Sequence, residues 1–159
     1  MDNREFYTVR GYQMLNDNKL TSSMEDYLEM IYRITLEADY IRVNQLAEKL
    51  NVQPSSTTKV VQKLKKLGMI DYEKYGIIKL TDEGKELGQF LFKRHEILES
   101  FLKKIGVKET LLKDTEMIEH DMSLSTLNNI NILNEFFTEY PDILDKYYVY
   151  KINFNDDSL

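Results

Sequence analysis

Pro54 and Gly68 bracket a helix and fix the middle of this chain. Proline lacks a backbone N–H and has a preset φ, so it suits the first position of a helix. Glycine takes the left-handed conformation that closes a helix. The spacing therefore predicts a helix from Pro54 to Leu67. A shorter helix is expected over Val43–Leu50, with Leu46, Ala47 and Leu50 apolar, and Asn51-Val52 makes the turn between the two. Beyond Gly68, Met69–Tyr72 and Ile77–Leu80 read as short strands around a hairpin tip at Glu73–Gly76. Helix, turn, helix, hairpin is the order of a winged helix-turn-helix.

Helical periodicity frames this centre on both sides. Ser22-x-x-Glu25 reads as a capping box, followed by Met24, Tyr27, Leu28, Ile31 and Ile34 at helical spacing until Asp39 and Tyr40 interrupt. Thr81 caps a long helix whose one side carries Leu87, Phe90, Leu91, Arg94, Leu98, Phe101, Leu102 and Ile105, and Gly106 ends it. Helices are expected about Glu109–Met122 and Ser125–Tyr140, the last closed by Pro141. The expected fold is mainly α with a small β wing: an N-terminal winged helix-turn-helix and a C-terminal helical dimerisation domain. The divisions expected are an arm (1–21) with no clear period, flexible or docked; a DNA-binding domain (22–81); a metal-binding and dimerisation domain (82–140); and a tail (141–159). The tail's Tyr147, Tyr148, Tyr150 and Phe154 would add a strand or cover a hydrophobic edge.

A net charge of −6 speaks at first against nucleic acid, but its distribution reverses that. Residues 1–40 carry −4, residues 41–80 carry +5, residues 81–106 are neutral, and residues 107–159 carry −7. Phosphate responds to the local field. The second helix of the turn pair enters the major groove by its N-terminal residues, here Gln53, Pro54, Ser55, Ser56, Thr57, Thr58 and Lys59. Short hydroxyl side chains suit base edges and phosphate oxygens at close approach. Lys59, Lys63, Lys65 and Lys66 suit flanking phosphates, and Lys74 and Tyr75 sit at the wing tip. The plainer alternative is an ordinary helix start with a solvated lysine face.

A second constellation carries hard ligands. Asp26 and Glu29 stand three apart on the first periodic helix, and Glu116, Glu119 and His120 follow the same rule later, on a stripe shared with Leu112. His95 lies at the edge of the long helix's apolar side. Each has a simpler reading: Glu29 pairs with Arg33 at i, i+4, Glu116 and Glu119 are solvated, and His95 is a core histidine. Taken as one set, carboxylates and imidazoles without sulfur suit Mn²⁺ or Fe²⁺ better than structural zinc. The four carboxylates would balance two divalent ions. A carboxylate-bridged di-metal enzyme would call for Glu-x-x-His pairs, and the chain has none. There is no cysteine and no apolar run near the roughly 20 residues of a membrane span, so a cytoplasmic protein is expected.

Several stretches together resemble the manganese-responsive branch of the diphtheria toxin repressor family. They are Ser23-Met24-Glu25-Asp26-Tyr27-Leu28-Glu29, Pro54-Ser55-Ser56, Thr58-Lys59-Val60-Val61-Gln62-Lys63-Leu64, Tyr72-Glu73-Lys74-Tyr75, Arg94-His95-Glu96 and Glu116-Met117-Ile118-Glu119-His120. The resemblance spans about residues 22–140. It implies that Asp26, Glu29, His95, Glu116, Glu119 and His120 bind an activating metal. Iron-responsive relatives carry Met and Cys at the positions of Asp26 and Glu116, which points this chain to manganese. Asp121 departs from the pattern, standing where manganese regulators have a second histidine. The implied protein is a non-enzymatic, Mn²⁺-activated homodimeric repressor with two ions per subunit. Its partner would be double-stranded DNA at palindromic operators of metal uptake genes, with no membrane or small organic substrate. The competing readings are an Fe²⁺ sensor on the same fold and a winged-helix regulator of an organic ligand.

Overall fold

A computed structural model describes residues 3–18 and 20–156. The chain divides into two compact units, Met1–Lys93 and Arg94–Leu159.

The first unit contains α1 (Asn3–Asn18), α2 (Ser22–Thr35), β1 (Ile41–Arg42), α3 (Val43–Lys49), α4 (Pro54–Lys66), β2 (Ile70–Tyr72), a 3₁₀ turn (Lys74–Gly76), β3 (Ile77–Leu80) and the first half of α5 (Asp82–Lys104). Leu28, Ile31, Leu46, Val61, Leu64, Met69, Ile70 and Ile78 are fully buried and form its core. α4 starts at Pro54 and ends as the glycine requires. Gly68 has φ +74°, its N–H reaches the Lys65 carbonyl, and the Met69 N–H reaches the Leu64 carbonyl (both 3.0 Å). These paired bonds satisfy helix-end carbonyls. The turn between α3 and α4 is built the same way around Asn51 (φ +53°), with Val52 N–H on the Ala47 carbonyl at 2.9 Å.

Three local features differ from the reading of the sequence. The cap of α2 is Thr21, whose Oγ1 accepts the Met24 N–H at 3.4 Å, so Ser22 is already helical. The wing has a third strand: β1 pairs antiparallel with β3 (Ile41↔Ile78) and β3 with β2 (Ile70↔Leu80), in the order β1-β3-β2. Two residues are too few to show alternation, so β1 leaves no periodic signal. The segment without a period is helical as α1. It docks through one close approach, where a Cβ on Gly11 would lie 2.2 Å from the Phe90 ring. Tyr12 meets the same ring edge-on at 5.2 Å, and Arg10 pairs with Glu86 at 2.6 Å.

The second unit contains the rest of α5, α6 (Leu111–Glu119), α7 (Leu124–Glu139) and α8 (Pro141–Asp156). Leu98, Leu102 and Leu127 are buried, as is Asn134, whose amide donates to the Ile97 carbonyl at 2.8 Å. The tyrosine-rich tail is helix α8 and adds no strand, and Pro141 both stops α7 and opens α8. α8 serves the end of α5: Tyr148 OH donates to the Lys104 carbonyl (2.7 Å), while Tyr147 OH (3.0 Å) and Lys151 Nζ (2.8 Å) donate to that of Ile105. These carbonyls have no partner within their own helix.

Candidate nucleic-acid interface and metal centre

The turn after α3 leaves the start of α4 exposed. Gln53, Pro54, Ser55, Ser56 and Lys59 are exposed, as are Gln62 and Lys63 further along. Gln62 lies three residues past Lys59 and seven past Ser55, so helical spacing extends the same face to it; the reading of the first turns passed it over. Thr57 does not belong to that face. It is fully buried, with its hydroxyl 3.3 Å from both Tyr27 OH and the Gln53 carbonyl. Thr58 is half-buried and donates to the Pro54 carbonyl at 2.9 Å. Lys65 reaches the Tyr72 carbonyl at 3.1 Å, tying α4 to β2. At the wing tip, Tyr75 has φ +66° and is 87 % exposed. Such a conformation is uncommon for a bulky residue and is often found where function demands it. Lys74 opens the 3₁₀ turn, and its side chain lies outside the described residues.

Among the metal candidates of the first unit, Asp26 and Glu29 lie on α2, both half-buried. Glu29 Oε1 accepts a hydrogen bond from Arg33 Nη2 at 2.5 Å, the i, i+4 pairing its spacing allows. In the second unit, His95 of α5 and Glu119 of α6 are both buried, and His95 Nδ1 lies 3.0 Å from Glu119 Oε2. His120 is the half-buried C-terminal cap of α6.

Glu116 is exposed, and so is Leu112. The expected inward stripe through Leu112 and Glu116 is corrected: the buried side of α6 carries Thr115 and Glu119, four residues apart. Thr115 is tolerated there because its hydroxyl donates to the Leu111 carbonyl at 2.8 Å. Of the four residues that helical spacing put on the stripe, Glu119 is buried and His120 half-buried, while Leu112 and Glu116 are exposed and Thr115 takes the inward place.

A buried imidazole beside a buried carboxylate, with further carboxylates and no thiolate in the chain, is a donor set for a hard or borderline divalent cation. The residues present fit such an ion.

A winged helix with an exposed recognition face, followed by a helical unit with a buried imidazole–carboxylate pair, defines a metal-responsive DNA-binding regulator. Residues 19–78 match the iron dependent repressor N-terminal DNA binding domain, and residues 81–147 match the iron dependent repressor metal binding and dimerisation domain. The chain belongs to the iron-dependent repressor family. It is 47 % identical over 127 residues to the HTH-type transcriptional regulator MntR of Lysinibacillus sphaericus, covering 79 % of this chain and 91 % of that protein. To MntR of Bacillus subtilis it is 48 % identical over 120 residues, covering 75 % and 84 %. The crystal structure of the metal-dependent transcriptional regulator MtsR superposes with a TM-score of 0.65 at 27 % identity, over 74 % of this chain and 55 % of that one. The chain thus spans about half the length of that solved relative. No helix among the described residues is long and apolar enough to cross a membrane.

Proposed function

We propose that this chain is a manganese-activated homodimeric transcriptional repressor acting in the cytoplasm on palindromic operators of metal uptake genes. The observation that carries the reading is the buried His95–Glu119 pair in a sulfur-free donor set. Relatives named MntR, nearly half identical to it, support manganese over iron.

Asp26, Glu29, His95, Glu116, Glu119 and His120 are the donors, with room in their charge for two ions per subunit. A bound divalent cation would supply positive charge to balance these carboxylates. His95 and Glu119 orient each other by their hydrogen bond, as partners of metal-binding histidines do. In this reading metal occupancy favours DNA binding. By linkage, DNA then strengthens metal binding by the same factor. Ser55, Ser56, Lys59, Gln62 and Lys63 form the groove-facing side of α4, and Lys74 and Tyr75 the wing contact. Thr57 and Thr58 support that side from within.

The dimer surface is proposed on α7. Ile132, Leu133 and Phe136 share one side of the helix, the cap residue Tyr140 lies with its ring 5.0 Å from that of Phe136, and all four are 38–62 % exposed. A contiguous apolar stripe of this kind marks an interaction site.

The deciding experiment is a gel shift on operator DNA with Mn²⁺, with anaerobic Fe²⁺ and with neither. Retardation that depends on Mn²⁺ is expected. Equal response to Fe²⁺ would favour the iron sensor, and binding indifferent to both metals would reject the metal-activated reading.

A further inference from the structure

Arg33 stands where a metal-responsive protein would gain from keeping one donor occupied. Its Nη2 donates to Glu29 Oε1 at 2.5 Å, and the Glu29 side chain is only 13 % exposed. The guanidinium carbon lies 5.4 Å from the centroid of the Phe92 ring, and Phe92 itself packs on Tyr32 at 6.0 Å. The cation is therefore held on two sides, by a carboxylate at its edge and an aromatic face beneath it. Arg33 Nε is buried with no hydrogen-bond partner among the described residues. The guanidinium thus leaves one donor unsatisfied where it sits, and Glu29 and Phe92 account for its position.

We propose that Arg33 is a built-in competitor for the metal at Glu29, a role that rests on Glu29 being a donor. A carboxylate oxygen engaged by a guanidinium offers fewer lone pairs to an incoming cation. In the metal-free protein, Arg33 also neutralises one of the carboxylates that would otherwise repel its neighbours. On loading, Glu29 leaves Arg33, and the positive charge left nearby works against the incoming ion. Both effects weaken affinity and raise the metal concentration at which the protein responds. Arginine keeps its charge across the physiological range, so the competition is insensitive to pH at the cation. Replacing Arg33 alters the threshold without altering the donor set.

The test is calorimetric titration of the full chain with Mn²⁺ in four forms: unaltered, Arg33→Gln, Glu29→Gln, and both together. Arg33→Gln is expected to tighten Mn²⁺ binding roughly threefold to tenfold, from the loss of one ion pair and one cation–π contact. In the Glu29→Gln background the same change should have less than about a twofold effect, because the group competed for is gone. Phe92→Leu, which removes only the platform, should give a smaller tightening. If Glu29→Gln weakens Mn²⁺ binding but Arg33→Gln does not tighten it, the competitor role falls and the donor reading stands. Equal tightening in both backgrounds would also overturn the role, since it would report a general field. If Glu29→Gln leaves Mn²⁺ binding unchanged, the assignment of Glu29 itself falls, and the role of Arg33 with it.

Discussion

His95 Nδ1 and Glu119 Oε2 lie 3.0 Å apart between two buried residues 24 positions distant in the chain. A buried acceptor that loses its donor costs about 1–3 kcal/mol. His95→Ala should therefore lower the metal-free protein's unfolding free energy by about that amount, as well as weakening Mn²⁺ binding. Urea denaturation without metal checks the first effect and calorimetry the second. A stability equal to that of the unaltered protein would show that the pair is not formed in the metal-free state.

Lys59 and Lys63 are exposed along α4. Each phosphate contact contributes about 0.9 to the slope of log affinity against log salt. Lys59→Ala should weaken binding to all DNA sequences alike and flatten that slope by about one unit. Fluorescence anisotropy over a salt series measures it. Ser56→Ala should instead change the preference among operators, leaving the slope in place.

Thr57 belongs to the core. Thr57→Val keeps the shape but removes the hydroxyl from Tyr27 and from the Gln53 carbonyl, and it should cost about 1 kcal/mol of stability. Intrinsic DNA affinity at saturating metal should hardly move. A large loss of affinity in a stably folded Thr57→Val protein would return this residue to the interface.

Gly84 lies in the first turn of α5 with no room for a side chain: a Cβ there would clash with the Met69 carbonyl oxygen. Thr81 anchors the same turn, its Oγ1 accepting the Gly84 N–H at 3.0 Å and donating to the Gly68 carbonyl at 2.6 Å. Gly84→Ala should force β2 and α5 apart and destabilise the first unit by about 1–3 kcal/mol, as overpacking does. Thermal denaturation gives the answer.

Ile132→Glu combined with Phe136→Glu places two charges on the exposed side of α7. Sedimentation is expected to show a dimer for the unaltered chain and a monomer for this variant. Operator affinity should fall with it, because paired half-sites need two heads. A dimer that survives both substitutions would move the interface elsewhere.

The chain's local punctuation already determined much of this protein. Pro54, Gly68, Thr81, Gly106 and Pro141 act through φ preferences and hydrogen bonds within a few residues, so the helix boundaries they set are legible without tertiary contacts. The basic block and the sulfur-free donor types are matters of composition, and they too can be read directly. Other features depended on partners far along the chain. Two residues at Ile41–Arg42 became a strand only because β3 offered an edge. α1 lacks a strong periodic face and is held by Gly11 meeting Phe90 of α5. The tail became a helix whose tyrosines bond the end of α5. Spacing could say that Thr57 and Glu119 lie on helices, but not that Thr57 turns inward to Tyr27 or that Glu119 is buried against His95. Periodicity fixes the angle between side chains on one helix and leaves open which side meets the core; that is decided by packing against residues dozens of positions away.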